Sequence, residues 1–245
     1  MSDRFLFFDI ETAPSKDWRD YVKPFDKDSV KLGNIKDPAK IFEKQQKAEK
    51  EHWANAEDKA ALNGLTGEVV AIGYMFTESN EVTVLDADDL GEEVVIRAFF
   101  RLIADNVHGS PKGVSQARLC GWNIKGFDLP FLSRRGWKHG IDFSTVHFNE
   151  KYGIGAHSNV DDLQLRFAGG KWEDRFTSLD MASKFLGFGG KTEGITGKDW
   201  HKAWRGDEDQ RALAQEYIET DVKLLAEIAE RIGVVTLTQL RGGVL

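Results

Sequence analysis

One short run constrains this chain more than any other: Phe5-Leu6-Phe7-Phe8-Asp9-Ile10-Glu11-Thr12, large apolar residues with two carboxylates near the end. An apolar stretch of this kind predicts a strand buried on both faces. Side chains two apart on a strand leave the same face, so Asp9 and Glu11 emerge side by side from a hydrophobic interior. Carboxylates that close repel one another and lose hydration, and a cation between them relieves both costs. A divalent metal ion is the simplest such cation. The alternative is a strand that ends at Phe8, with both acids solvated in a loop.

The rest of the composition bounds the setting. A chain of 245 residues, 41% hydrophobic and 30% charged, reads as an ordinary soluble globular protein. The first apolar run is too short for a signal peptide, and no other stretch approaches membrane length. The lone Cys120 excludes an internal disulfide and a multi-cysteine zinc site, and fits a reducing cytoplasm. A net charge of −7 gives no support to broad binding of duplex DNA. It is compatible with an enzyme that grips only a strand end, where metal ions offset the carboxylates.

Beyond Thr12 the chain passes Pro14, Pro24 and Gly33 with few periodic apolar residues. Asp37-Pro38 predicts an N-cap with proline at the first helical position, opening a helix that Gly64 stops. Residues 38–63 are charge-rich, with Ile41, Phe42 and Trp53 the main apolar ones. They read as a solvated helix leaning on the body through a narrow stripe, or as a flap, since the insertion leaves directly from the Asp9 strand. Residues 68–76 and 82–85, parted by a turn at Asn80, predict strands forming an antiparallel meander with the first. Val95, Ala98, Phe99, Leu102 and Ile103 have the spacing of a helix over 92–107. A short strand follows at 117–122, and the alternation predicts an α/β domain.

Asp128 falls where the next helix begins, with Pro130 in its first turn, Phe131, Leu132 and Trp137 turned inward, and Gly140 at its end. Amides exposed at a helix N-terminus favour a carboxylate, so a cap and a ligand are both open readings of Asp128. Residues 141–157 read as irregular, with a short strand near 143–148, and 161–167 as the start of a short helix. Thr177-Ser178 predicts a cap for a helix carrying Leu179, Ala182, Phe185 and Leu186, ended by Gly187. The glycine-rich loop 189–197 lacks P-loop spacing and reads as a connector. The last helix, 207–232, carries an apolar stripe that includes Ala214, Tyr217, Ile218, Leu224, Leu225 and Ile228. Asp221 falls on that stripe, which is unusual for a charged residue unless it is paired or metal-bound. A buried hydrogen bond, or a place at the stripe's edge, is the alternative. No linker divides the chain, which reads as a single domain over residues 1–245 with an insertion at about 13–66.

Three strings now stand in order: Asp9-Ile10-Glu11-Thr12, then Asn123-x-x-x-Phe127-Asp128 followed by Pro130, Phe131 and Leu132, then Tyr217-x-x-x-Asp221. They resemble the three exonuclease motifs of the DEDD superfamily of 3′–5′ exonucleases. The branch is the tyrosine type, similar to the proofreading domain of family B DNA polymerases. Histidine-type relatives carry a histidine five residues before the final aspartate, where this chain has Glu216. The resemblance covers most of the chain outside 13–66 and the last dozen residues. Each motif alone arises by chance, but three in order, each in its expected strand or helix, are specific.

The resemblance implies a ribonuclease H-like mixed β-sheet flanked by helices, with a helical insertion after the first strand. It implies Asp9, Glu11, Asp128 and Asp221 as ligands of two divalent ions, Mg²⁺ or Mn²⁺, and Tyr217 as the group that orients the attacking water. Thr12, Asn123 and Phe127 match positions that touch the terminal nucleotide or support the second motif. The implied activity is metal-dependent 3′–5′ exonucleolysis releasing 5′-mononucleotides, on single-stranded or frayed DNA. An exoribonuclease of the same superfamily is the alternative within that chemistry, and a catalytically silent nucleic-acid-binding module is the alternative outside it. The presence of all four acids and the tyrosine argues against the silent module.

Because the chain ends soon after the third motif, a stand-alone nuclease is expected, or a subunit acting in trans with replication or repair proteins. Asp161 and Asp162 read as supports of the metal site or as a helix cap, and His157 as a loop residue. Arg134, Arg135, Lys138 and His139, or Lys184, Lys191, Lys198 and Lys202, guide a phosphate backbone or are simply solvated. Aromatic residues near the site are candidates to stack a frayed base, although the sequence does not single any out.

Overall fold

The strand that carries Asp9, β1 (Arg4–Pro14), is the middle strand of a five-stranded sheet. The architecture is that of a computed structural model, which describes residues 4–79, 81–108, 117–142, 160–169, 176–190 and 194–235. The other strands are β2 (Gly67–Phe76), β3 (Thr83–Asp86), β4 (Ala117–Gly121) and β5 (Val160–Asp162), in the order β3-β2-β1-β4-β5. β2 and β3 pair antiparallel, as the expected meander requires. β1 and β4 pair parallel, with Phe5 opposite Arg118 and Phe7 opposite Cys120, and β4 and β5 also pair parallel. A mixed sheet flanked by helices results. The expected strand near 143–148 lies outside the described residues.

Eight α-helices are described: α1 (Pro38–Ala60), α2 (Ala87–Leu90), α3 (Glu92–Ile103), α4 (Asp128–Lys138), α5 (Leu163–Phe167), α6 (Leu179–Phe185), α7 (Trp200–Trp204) and α8 (Glu208–Arg231). None is long and apolar enough to cross a membrane. By contacts the chain divides into two units, residues 1–11 with 69–245, and residues 12–68. In the smaller unit the Asp37 side chain accepts the Ala39 amide and opens α1. Most of α1 is exposed, as its charge predicts, and Trp53 meets Trp18 edge-on with centroids 6.1 Å apart.

In the larger unit the buried side chains form two clusters. Leu6, Phe8 and Ile10 join Val95, Phe99 and Ile103 of α3 with Phe131 and Leu132 of α4. Phe5 and Phe7 join Val222, Leu225 and Ile228 of α8. Glu92, at the start of α3, binds the first cluster together. It accepts the Val69 amide (2.8 Å), two guanidinium nitrogens of Arg135 (2.8 and 2.7 Å), and pairs with His139 Nε2 at 2.7 Å.

Four expectations need correction. Trp137 is 65% exposed, because α4 turns Phe131, Leu132, Arg135 and Gly136 inward instead. Arg135 is no solvated cation: it is 3% exposed and held by Glu92. Asp161 belongs to a strand, and the helix expected at 161 begins at Leu163, capped by Asp162. Phe185, expected on the buried face of α6, is 80% exposed. Helix α7 was not foreseen, since five residues are too few to carry a period.

Candidate metal centre and cleft

The period of β1 decides where its acids go. Phe5 and Phe7 face the cluster that α8 builds, and Asp9 and Glu11 continue the same alternate series. On α8, Asp221 stands three residues after Ile218 and four before Leu225, both fully buried, so the helix turns it towards the same face. Asp9, Glu11 and Asp221 thereby bring three carboxylates together, one oxygen of each lying within 4.8 Å of the others. Asp221 is 1% exposed and Glu11 7%, whereas Asp9 is half-buried. Three acidic oxygens so concentrated form a hard donor set that suits Mg²⁺ or Mn²⁺ rather than zinc. The triad can hold a metal ion.

Asp128 reaches the same place from α4. The N-cap position belongs to Phe127, which makes no side-chain cap bond, and Asp128 Oδ1 accepts the Ile10 amide of β1 at 3.3 Å. Burial, and after it the charge of Asp9, push the Asp128 pKa well above the ordinary value. The turn before it is tight. Asn123 has φ +57°, the one left-handed non-glycine among the described residues, and its carbonyl accepts the amides of Gly126 and Phe127, each at 2.9 Å. Asparagine tolerates that conformation better than most residues. A Cβ on Gly126 would lie 2.3 Å from Asn123 Oδ1, so a side chain there would displace the Asn123 amide. Asp162 anchors the turn by accepting the amides of Asn123 (3.1 Å) and Lys125 (3.0 Å) while it caps α5. Asp161 is taken up elsewhere, by Arg118 and Arg166.

Asp9, Asn123, Phe127, Asp128 and Asp221 line one cleft of about 550 Å³. Its other wall includes Trp122, Gln164 and residues 176–179. Trp122 Nε1 and Gln164 Nε2 both donate to the Thr177 carbonyl at 3.0 Å, which fixes that wall. The expected cap is also present, since the Met181 amide donates to Ser178 Oγ. Nothing in the local pattern ties Gln164 or 176–179 to the acids, so sequence reasoning missed this wall. Tyr217, 3% exposed, lies one helical turn before Asp221. A Cβ on Gly197 would stand 3.5 Å from its hydroxyl, which places the end of the glycine-rich connector beside the phenol. The Thr12 hydroxyl donates to the Ala61 carbonyl (2.7 Å) within the 12–68 unit.

Comparison with known proteins agrees with this geometry. A family model described as a predicted 3′–5′ exonuclease related to the exonuclease domain of PolB matches residues 62–224, a span that includes Asp128, Tyr217 and Asp221. Among solved structures, the chain is similar to the family B DNA polymerase from the hyperthermophilic archaeon Pyrobaculum calidifontis, with a TM-score of 0.58 and 17% identity. That match covers 99% of this chain, which spans only 27% of the polymerase chain. The fold is thus the ribonuclease H-like α/β fold of such an exonuclease domain. No curated protein matches.

Proposed function

The chain belongs to the family of predicted 3′–5′ exonucleases related to the exonuclease domain of PolB, and we propose that it shortens nucleic-acid strands from their 3′ ends in a metal-dependent reaction. The observation that carries this reading is the convergence of Asp9, Glu11 and Asp221 within 4.8 Å of one another, beside a cleft that Asp9, Asp128 and Asp221 line. A lone acidic cluster is common. An acidic cluster built from one strand and one helix, with Asp9 and Asp221 lining a cleft of about 550 Å³, supports a reaction centre.

Phosphodiesters are anionic and repel hydroxide, and a divalent ion held by the triad supplies charge neutralisation and a nucleophile at neutral pH. The residues of the chain do the rest. Asp9, Glu11 and Asp221 would hold the ion. Asp128, fixed through the Ile10 amide, would join them as a further ligand, the bound cation offsetting the burial and the Asp9 charge that raise its pKa. The Tyr217 phenol, kept in place by its packing on α8 and beside Gly197, orients the attacking water and needs no basic side chain to do so. Asn123 shapes the turn that presents Phe127 and Asp128, and the Phe127 ring offers a face to the terminal nucleotide. Thr12 is assigned to the terminal nucleotide on the motif alone. The products are 5′-mononucleotides, and single-stranded DNA is favoured over RNA because the family is related to a DNA polymerase's exonuclease domain.

The experiment is digestion of a 5′-labelled single-stranded DNA oligonucleotide and its RNA counterpart with Mg²⁺, Mn²⁺ or EDTA, with Asp9→Ala in parallel. A ladder shortening from the 3′ end, dependent on metal and absent in the variant, is expected, and the faster polymer names the substrate. Cleavage retained by a folded Asp9→Ala, or no ladder with any metal while the strand still binds, would overturn this function.

A further inference from the structure

An aromatic row climbs out of the cleft onto an exposed helix. Trp122, in the cleft wall, has its ring centroid 5.9 Å from that of Phe167 on α5, and Phe167 lies 6.0 Å from Phe185 on α6 in an edge-on arrangement. Phe185 is 80% exposed, and Met181, one turn earlier on the same face of α6, is 61% exposed. Phe176, on the lip of the cleft, is 77% exposed. Single exposed apolar residues are ordinary, but an exposed ring that ends an aromatic row from a candidate site, with Met181 on the same helix and Phe176 in the cleft lining, marks an interaction surface.

The folding of α6 does not require them. Its buried face is made by Leu179, Ala182 and Ser183, while Met181 and Phe185 occupy positions where a charged residue would serve solubility better. The cations beside this face are ion-paired, Arg166 with Asp161 (2.8 Å), which Arg118 shares, and Lys184 with Asp180 (2.8 Å). Exposed ring faces suit unpaired bases better than the phosphates of a duplex. Every base offers a π-face, and stacking on protein aromatics is tolerant of sequence. The net charge of −7 disfavours a duplex as well.

We propose that Phe185, with Met181 and Phe176, forms a stacking platform for the unpaired bases of the strand whose 3′ end enters the cleft. This rests on the nuclease reading and adds the substrate's form: a single strand long enough to leave the cleft and cross α6. The platform gives affinity without selecting sequence, and it makes long single strands better substrates than very short ones.

The test measures fluorescence anisotropy of a labelled single-stranded DNA dodecamer and a labelled trinucleotide, with Ca²⁺ in place of Mg²⁺, on wild type, Phe185→Ala and Phe185→Trp. Thermal melting confirms that both variants are folded. Phe185→Ala is expected to weaken dodecamer binding about five- to a hundred-fold, the range of one lost base–aromatic stack. Trinucleotide binding, and its cleavage in a parallel reaction with Mg²⁺, stay at the wild-type level, and Phe185→Trp restores the dodecamer. Unchanged dodecamer affinity in Phe185→Ala, beside a wild type that cleaves, would overturn the platform and leave the nuclease standing. A wild type that neither cleaves nor binds any strand would remove both. A wild-type dimer that Phe185→Ala dissolves, with strand affinity intact, would assign the face to a second copy and overturn the proposal.

Discussion

Gly73 on β2 lies against Ile218 and Val222 of α8, and filling the space between them tests how tightly the candidate site is tied to the fold. A Cβ at Gly73 would lie 2.8 Å from Ile218 Cγ1, 3.1 Å from Ile218 Cδ1 and 3.1 Å from Val222 Cγ2. Both neighbours are fully buried, and both are β-branched with stiff χ1, so neither can swing aside. Alanine in place of a strand glycine returns about 0.5–1 kcal/mol of backbone entropy. Overpacking a closed core costs about 1–3 kcal/mol. The net loss for Gly73→Ala is then about 1–2 kcal/mol, a fall in Tm of about 2–8 °C for a chain of this size. Ile218 follows Tyr217 and Val222 follows Asp221, so any movement of α8 that relieves the clash also moves the proposed phenol and carboxylate. Single-turnover cleavage, measured far below Tm, should therefore fall beyond what unfolding explains. Gly189→Ala, where nothing lies within 4 Å of the added Cβ, is the control. A Gly73→Ala protein with the control's Tm and full activity would refute the close packing of α8 on β2.

Three further outcomes are expected. Glu92→Gln leaves the Arg135 guanidinium, 3% exposed, without its counter-charge, a loss of about 3–5 kcal/mol near neutral pH. Burial alone would raise the Glu92 pKa, but bonds from Arg135, His139 and the Val69 amide hold it below its ordinary 4.5, so its contribution is complete above that pH and drains away as pH falls through the lower folded value. Urea unfolding at neutral and acid pH should show the wild-type advantage shrinking in acid, and an advantage that persists undiminished would contradict it. Asp221→Asn removes one of three crowded negative charges, so the metal-free protein should melt higher while the Tm rise on adding Mn²⁺ is lost; a rise equal to wild type would dismiss Asp221 as a ligand. Tyr217→Phe should slow single-turnover cleavage yet keep the Mn²⁺-induced Tm rise, and an unchanged rate would remove the phenol from the reaction.

Much of the frame was legible because local periods report which face a side chain takes. β1 is buried on both faces as its apolar run predicts, and the period of two puts Asp9 and Glu11 together. The last helix announced itself by its stripe and by Asp207, whose side chain caps it in a full capping box with Gln210. What the periods do not report is the partner. Asp128 bonds an amide 118 residues earlier in the chain, and no local rule about helix caps could supply that contact. β5 is three residues long and is a strand only because β4 pairs with it. The wall at 176–179 depends on hydrogen bonds from Trp122 and Gln164, which lie far from it in sequence.

Asp221 and Arg135 show how the same rule can be read to different depth. Each sits on the apolar stripe of its helix, Asp221 between Ile218 and Leu225, Arg135 after Phe131 and Leu132, and each is almost fully buried. A charge on such a face demands a counter-charge, and the argument applied to Asp221 applied equally to Arg135. For Arg135 the chain provides one in Glu92, bound through two nitrogens, and the result is a structural pair that fastens α4 to α3. For Asp221 the chain gathers two more carboxylates, Asp9 and Glu11, within 4.8 Å. A sequence that pairs one buried charge with its opposite and groups three carboxylates at another place concentrates negative potential at the second. Like charges that close favour a bound cation, and that is the physical reason to look for metal-dependent chemistry at Asp221 and not at Arg135.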